Sequence, residues 1–320
     1  KHYPIEHIDN DCCVAELVKD PTLRASEAAR AAADKEWDNL VARECWVLSE
    51  VVPWKDVYGP ATKAGKTVHL GDLCELVYLK GSELPEGHEG RKLKGRVVFL
   101  GDRVRDQFGT AAVFEELSSS PAGMEASRFC DFYGSLGDFI IEQADATQAY
   151  TQAHLPHGHT YIKLPARYRQ EAIAKGYMKD TKDLHVLPLR RALYGHPESG
   201  AYWEQKCTLA IEQSGFKRVG DNGEWRSCFF HPEAKVFLMV YVDDFKMAGP
   251  ADKMHHLWKT FTTLVKDTIE LDKPTPVGHF LGCQHDVIDQ WVDPVSLNEA
   301  KVDVDVGPSA AKAKAKAKAA

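Results

Sequence analysis

Apolar and polar residues follow two different periods along this 320-residue chain, and together the two periods predict a mixture of helices and strands. A spacing of about 3.6 residues predicts helices over residues 26–42 and 251–267, and a further helix is expected from Gly200 to residue 213. Alternating or unbroken apolar runs predict strands at residues 97–100, 139–145, 225–231 and 236–242. The buried stripe of the first helix should contain Ala33, Trp37, Leu40 and Val41.

Two adjacent aspartates, Asp243 and Asp244, follow the longest apolar run of the chain. Aspartate is a poor strand former and favours turns, so we expect both residues at the tip of a hairpin. Neighbouring carboxylates repel each other, and a divalent cation such as Mg²⁺ or Mn²⁺ is the usual reason for such a pair, because carboxylate oxygens suit hard cations. The alternative is an ordinary Asp-Asp turn between two strands.

Asp145 stands at the end of another predicted strand. Carboxylates at the ends of neighbouring strands build shared metal sites, so Asp145 is a candidate partner for Asp243 and Asp244. In the alternative interpretation, Asp145 ends its strand and caps a helix that begins near Ala146.

A basic segment lies at residues 91–105, where six Lys and Arg residues and one acid surround a short apolar strand. Lys94 and Arg96 are candidates to neutralise a triphosphate or a nucleic-acid backbone, because Lys and Arg are the usual ligands of phosphate groups. The alternative is a charged edge strand exposed to solvent, whose charges prevent aggregation.

Two other motifs do not lead to a function. Residues 59–67 resemble a P-loop, but the glycines are one residue too far apart and no buried strand precedes them, so a Gly/Pro surface turn is expected. His154, His157 and His159 alternate with a proline and a glycine, which predicts a loop. No Cys or further His has the spacing needed to complete a structural zinc site.

The composition is typical of a globular chain, because 44% of the residues are hydrophobic and can form a substantial core in one or two domains. A net charge of -7 argues against a protein that coats nucleic acid through its overall charge. The eight cysteines include no C-x-x-C pair and no signal-peptide pattern is present, which predicts reduced thiols. No apolar run approaches the roughly 20 residues of a membrane helix.

Several motifs are informative when they are taken together and in order. The three most specific are Asp145-Ala-Thr-Gln-Ala-Tyr150, Leu193-Tyr-Gly-His-Pro-Glu-Ser-Gly-Ala-Tyr-Trp203 and Tyr241-Val-Asp-Asp244. Two further ones are Lys94-Gly-Arg96-Val-Val and Phe280-Leu-Gly-Cys283. Over residues 36–286 the chain resembles the reverse transcriptase of copia-type retrotransposons, whose motifs are D-V-x-x-A-F/Y, L-Y-G-L-K-Q-x-P-R-x-W, Y-V-D-D, K-A-R-L-V and F-L-G-I.

The resemblance implies an α+β fold of the polymerase right-hand type, with fingers, a ferredoxin-like βαββαβ palm and a largely absent thumb. The predicted order of strands and helices agrees with such a palm. We expect a leader at residues 1–30, a fingers-like region at 31–138, a palm with a finger insertion and the primer-grip region at 139–286, and a tail at 287–320 with a low-complexity Ala/Lys end.

The activity implied by the resemblance is RNA-directed DNA synthesis by nucleotidyl transfer of dNTPs to a primer 3′-hydroxyl. The catalytic carboxylates, which would hold two Mg²⁺ ions or Mn²⁺ in their place, are Asp145, Asp243 and Asp244. The residues expected at the dNTP are Lys94, Arg96, Glu198 and Tyr150, whose ring would exclude a ribose 2′-hydroxyl. The residues expected at the primer grip are Phe280, Leu281 and Gly282.

The implied partners are an RNA or DNA template with its primer, dNTPs and other polyprotein segments, namely a thumb, ribonuclease H and integrase; no membrane is expected. The implied location is intracellular, in cytoplasmic virus-like particles or in the nucleus. Glu198 departs from the family, which has Gln there and two basic neighbours that this chain lacks, and an acid is unfavourable beside a triphosphate. The alternative function is therefore a catalytically inactive, nucleic-acid-binding remnant of such a polyprotein.

Overall fold

A computed structural model describes residues 15–114, 121–220 and 225–285. The predicted tail and residues 1–14 of the predicted leader lie outside these ranges. All of the elements belong to one compact unit that ends at Gln284. The division into fingers-like and palm regions near residue 138 stays a prediction.

The described ranges form a mixed α/β structure with several sheets. The strands are β1 (Ala15–Leu17), β2 (Val52–Pro53), β3 (His69–Gly71), β4 (Leu73–Lys80), β5 (Lys92–Phe99), β6 (Arg105–Asp106), β7 (Phe139–Asp145), β8 (Thr160–Lys163), β9 (His185–Pro188), β10 (Lys217–Arg218), β11 (Cys228–His231), β12 (Val236–Tyr241), β13 (Asp244–Pro250), β14 (Thr275–Pro276), β15 (His279–Phe280) and β16 (Cys283–Gln284). The helices are α1 (Pro21–Arg24), α2 (Glu27–Ala42), α3 (Trp54–Lys63), α4 (Met124–Gly134), α5 (Ala149–Gln152), α6 (Ala166–Ala174), α7 (Ser199–Gln213) and α8 (Ala251–Lys259), the last of which continues as a π-turn over Thr260–Leu264.

The largest sheet has the strand order β10-β11-β12-β13-β7-β14, and all of its pairings are antiparallel. Helix α7 lies between β7 and β12 in the chain, and α8 lies between β13 and β14, so the four strands β12-β13-β7-β14 have the order of a split βαββαβ unit. The sequence predicts the two middle strands of this unit at residues 225–231 and 236–242. In the structure the middle strands are β12 and β13, and β11 lies beside β12 outside the unit. Strand β13 escaped prediction because its Asp, Lys, Gly and Pro residues are poor strand formers.

The two faces of this sheet bury different residues because side chains alternate along each strand. Leu238 and Val240 pack in one cluster with Trp203 of α7 and Leu257 of α8. The other face contributes to a second cluster, which also contains residues of α4 together with Val277 and Phe280. The helix predicted over residues 251–267 is confirmed from Ala251 to Lys259, where the π-turn begins.

In the described ranges three smaller sheets complete the framework, with the orders β1-β4-β5, β15-β16 and β2-β9-β8-β3-β6. Helix α2 begins at the predicted cap, since the Ser26 hydroxyl accepts a hydrogen bond from the Ala29 amide. It packs along β5 and buries Trp37 and Leu40, as predicted. Val41 was assigned to the buried stripe wrongly, because it is 43% exposed and Glu36 occupies the buried position instead.

The expected Gly/Pro turn over residues 59–67 is wrong in its first half. Helix α3 continues through Gly59 and Pro60 to Lys63. The chain turns only at Ala64 and Gly65, where Gly65 has a φ of +65°. Proline removes one backbone donor from a helix, and this exposed helix tolerates that loss.

Gly95 sets the close approach of β5 to α2. A Cβ atom at this position would lie 2.3 Å from the carbonyl oxygen of Ala32 and 2.8 Å from the Cα atom of Ala33. We expect Gly95→Ala to lower the free energy of unfolding by about 1–3 kcal/mol, because backbone atoms must move apart to admit the methyl group. The matched control is Gly59→Ala in α3, where a Cβ atom meets no other atom within 4 Å.

Chemical denaturation of the two variants beside the wild type measures the difference. Gly59→Ala should be neutral or slightly stabilising, because alanine is the better helix former. Equal stability of Gly95→Ala and the wild type would contradict the tight packing of β5 on α2.

Candidate active site

Asp243 lies in a hairpin turn, as predicted, whereas Asp244 is already the first residue of β13. Tyr241 pairs with Asp244, which leaves Val242 and Asp243 as the two central residues of the turn. Val242 has a φ of +57°, a conformation that costs a β-branched residue about 1–3 kcal/mol. Hydrogen bonds hold both carbonyl groups of the turn: the Ala146 amide donates to Asp243 over 2.7 Å, and the Trp203 indole donates to Val242 over 2.6 Å.

The pairing of β7 with β13 brings the third aspartate to the same place. Asp145 is the last residue of β7 and lies directly opposite Asp244 in the register. Asp145 and Asp243 line one cleft of about 430 Å³, whereas Asp244 is not among the residues that line it. The sheet therefore brings together, at one edge, three carboxylates that the sequence separates by almost 100 residues.

The charges of these carboxylates are incompletely compensated. Burial raises the pKa of Asp145, and the neighbouring carboxylates Asp243 and Asp272 raise it further, while Lys94 lowers it. Burial, Asp243 and Asp145 together raise the pKa of Asp244 to about 6. The mutual repulsion of these carboxylates favours the addition of positive charge between them.

Basic residues line the same cleft. They include Lys94 and Arg96 of β5 and Lys80 of β4, and Tyr194 also lines it. Burial lowers the pKa of Lys94, and the cationic neighbours Arg96 and Lys80 lower it further, whereas the Asp145 carboxylate raises it. One cleft thus contains both carboxylates and a cluster of cations.

Arg96 is held in place from two sides. Its guanidinium lies 3.6 Å from the buried carboxylate of Glu36 in α2 and 5.1 Å from the ring centre of Tyr194. Burial raises the pKa of Glu36, and Arg96 and Lys94 oppose that rise. Tyr194 also accepts a hydrogen bond at its carbonyl from the Phe99 amide over 2.7 Å, which ties β5 to the loop before α7.

Several residues in and beside this cleft carry no local sequence signal that marks them. Lys80 enters it only because β4 pairs with β5, in a register that only the folded sheet reveals. Glu36 lies on a helix whose pattern predicts a polar outer face. For Tyr194 the one available signal is its position in the motif of residues 193–203. Asp272 lies before β14, and its amide donates to the Asp145 carbonyl over 2.8 Å.

Other predicted site residues lie beside the cleft. Tyr150, in the short helix α5, packs edge-on against Tyr194 with ring centres 4.8 Å apart, but it is not among the residues that line the cleft. Burial and the charge of Asp243 raise the pKa of its hydroxyl. Glu198 precedes α7, where its amide donates to the His196 ring, and it also does not line the cleft.

The predicted primer-grip residues form the turn of the β15–β16 hairpin. Phe280 is buried, and the ammonium of the buried Lys246 lies 5.1 Å from its ring centre. Leu281 and Gly282 both have positive φ angles, of +48° and +77°, and connect the two strands. The structure thus places this hairpin on the sheet face opposite α7 and α8.

Across residues 15–114, 121–220 and 225–285, no group of three or more His, Cys, Asp or Glu side chains is arranged to hold a metal ion. Mg²⁺ usually binds through one or two carboxylates and completes its shell with water and substrate phosphates. Asp145 and Asp243 supply that number of hard oxygen ligands in one cleft. The residues therefore fit a divalent cation that binds together with a phosphorylated substrate.

In these same ranges no helix is both long enough and apolar enough to cross a membrane.

No protein-family model matches the chain, and no curated protein sequence matches it. Among solved structures the chain is similar to telomerase from Candida albicans in complex with the TWJ fragment of telomeric RNA, with a TM-score of 0.34 and 10% sequence identity. The alignment covers 78% of this chain and 46% of that one, so this chain spans less than half the length of the telomerase chain. A likeness of this degree is distant and establishes neither fold nor function.

Proposed function

We propose that this chain is the fingers and palm portion of a copia-like reverse transcriptase, a nucleotidyltransferase that adds dNTPs to a primer 3′-hydroxyl on an RNA template. One observation supports the proposal most strongly: a single cleft joins Asp145 and Asp243 to Lys94 and Arg96. Carboxylates and cations that line the same cleft suit a substrate with a polyphosphate chain and bound metal ions. The motif resemblance described above gives the same residues the same roles.

Asp145 and Asp243 would hold Mg²⁺ or Mn²⁺, with Asp244 contributing negative charge from the neighbouring strand. When bound, a pair of such ions activates the attacking hydroxyl and offsets charge on the reacting phosphate. Lys94 and Arg96 would bind the triphosphate oxygens, and the ion pair of Arg96 with Glu36 would keep the guanidinium in the cleft. The resemblance assigns the exclusion of a 2′-hydroxyl to Tyr150, which would act through Tyr194, the ring that it packs against and that lines the cleft.

The alternative is a nucleic-acid-binding remnant without polymerase activity. The observation that favours it is that the three aspartates do not, within the described ranges, already form a group of metal ligands. Primer extension on poly(rA)/oligo(dT) with Mg²⁺ or Mn²⁺ distinguishes the two functions. Extension by the wild type supports the polymerase, whereas salt-dependent binding of the primer-template without extension supports the remnant.

Lys94 provides a more specific prediction about the substrate. In Lys94→Gln we expect the KM for dTTP to rise about tenfold with a smaller change in kcat, because the lost charge binds phosphate in the ground state as well as in the transition state. Steady-state primer extension at varied dTTP concentration measures both constants.

The matched control is Lys55→Gln, whose ammonium binds Asp183 over 2.9 Å outside the cleft. This control should keep the wild-type KM. If both variants raise the KM equally, or neither does, Lys94 has no specific role in binding the triphosphate.

A further inference from the structure

The orientation of the aspartate turn depends on one peptide group, the one that joins Val242 to Asp243. In a two-residue hairpin turn this central peptide can take either of two orientations, which distinguish type I′ from type II′ turns. Val242 has a positive φ and Asp243 does not, which is the pattern of the type II′ turn. Glycine is the residue usually found at the position that Val242 occupies, so the local sequence does not by itself favour this turn.

A hydrogen bond from outside the turn acts on this same peptide. The indole N–H of Trp203, in α7, donates to the Val242 carbonyl over 2.6 Å. Trp203 is only 2% exposed, so its ring is fixed by the packing of α7 on the sheet. A rotation of the central peptide would turn the carbonyl away from this donor.

We propose that Trp203 is a positioning residue, which selects the turn conformation that directs the Asp243 carboxylate into the cleft beside Asp145. The inference rests on the proposed function, in which the Asp243 carboxylate binds a metal ion in the cleft. Trp203 itself does not line the cleft and acts only through the Val242–Asp243 peptide.

The chain contains a closely matched control in Trp258 of α8. Its indole is 4% exposed and donates a single hydrogen bond of 2.7 Å to the Glu142 carboxylate in β7. Both tryptophans belong to the same apolar cluster on one face of the sheet. The two indoles therefore differ mainly in their acceptors, of which only the Val242 carbonyl belongs to the aspartate turn.

The test compares Trp203→Phe and Trp258→Phe by two measurements that do not require polymerase activity. The first is the position of the backbone amide NMR signals of Asp243 and Asp244, assigned with the variants Asp243→Asn and Asp244→Asn. The second is the affinity for Mn²⁺, measured by electron paramagnetic resonance. A thermal unfolding curve for each variant shows whether the loss of an indole affects the fold equally in both.

In Trp203→Phe we expect the Asp243 and Asp244 signals to shift or to double and Mn²⁺ binding to weaken about tenfold, the effect of losing one hydrogen bond. In Trp258→Phe both properties should match the wild type. Wild-type amide signals in Trp203→Phe, or equal weakening of Mn²⁺ binding in the two variants, would overturn the assignment. If the wild type neither binds Mn²⁺ through Asp243 nor extends a primer, the proposed function fails, and the amide signals still decide the role of Trp203 in the turn.

Discussion

Replacement of Asp243 by asparagine should abolish primer extension, with a loss of about a thousandfold or more in kcat. The reason is that the variant keeps the size of the side chain and removes the charge that would hold a cation at the reacting phosphate. A thousandfold loss corresponds to about 4 kcal/mol of transition-state stabilisation. Single-turnover extension of a labelled primer by the wild type and the variant measures this ratio directly.

The same substitution should not destabilise the fold. Asp243 raises the pKa of both Asp145 and Asp244, so its negative charge repels theirs in the folded protein. Removing it relieves that repulsion, and the thermal midpoint of Asp243→Asn should equal or exceed that of the wild type when no divalent cation is added. Loss of activity with retained stability is the combination expected of a residue that serves function at the expense of stability.

Asp72→Asn is the control for removal of a single carboxylate. Asp72 forms an ion pair of 2.8 Å with Lys163 and does not line the cleft, so this variant should extend primers at the wild-type rate. If Asp243→Asn extends primers within about threefold of the wild type, Asp243 has no catalytic role.

Acidification from pH 7 to pH 5 should destabilise the protein through a cluster of buried histidines. His196 is 4% exposed and packs between the rings of Phe99 and Phe114, and its imidazole lies 3.4 Å from the Thr160 hydroxyl. Burial, together with the nearby rings of His69 and His159, lowers the pKa of His196 to about 4. Burial and His159 lower the pKa of His69 in the same direction, although Asp106 opposes that change.

The sign of the effect follows from proton binding. The folded-state pKa of His196 is below the ordinary value of 6.5, so the unfolded chain binds a proton more readily. The contribution of neutral His196 to the free energy of unfolding is therefore present above pH 6.5 and is lost as the pH decreases towards 4. The contribution of His196 to the loss between pH 7 and pH 5 is about 2 kcal/mol, because one pKa unit corresponds to about 1.4 kcal/mol.

Denaturant unfolding at pH 5 and pH 7 tests this prediction in His196→Phe and in Phe114→Leu. The first variant removes the titrating group, so its loss of stability on acidification should be about 2 kcal/mol smaller than that of the wild type. The second changes packing at the same rings without removing a titrating group, so it should retain the wild-type pH dependence. Parallel pH dependence in His196→Phe and the wild type would show that His196 is not responsible.

The hairpin of the aspartates could be predicted from the sequence because an apolar run and two turn-forming acids are both local signals. Its partner, Asp145, was also recognisable at a strand end. The residues that complete the cleft were not, because Lys80 depends on strand register and Glu36 on the packing of a helix against a basic strand. Both depend on contacts between residues far apart in the chain.

A similar limit applies to β13 and to Tyr150. The residues of β13 have low strand propensity, and pairing with β12 and β7 on its two sides overrides that propensity. The role of Tyr150 at the dNTP stays a prediction, and Tyr194, not Tyr150, lines the cleft. Which of two neighbouring aromatic rings faces a cleft depends on tertiary packing, which no local pattern reports.

Template-directed incorporation of a single nucleotide tests the central claim most directly. The wild-type chain with poly(rA)/oligo(dT) and Mg²⁺ or Mn²⁺ is offered each of the four dNTPs separately, with and without EDTA. The proposed function predicts that dTTP alone extends the primer efficiently and that EDTA stops the reaction. Addition of all four nucleotides at equal rates, or extension that persists in EDTA, would contradict template-directed, metal-dependent synthesis at the cleft of Asp145 and Asp243.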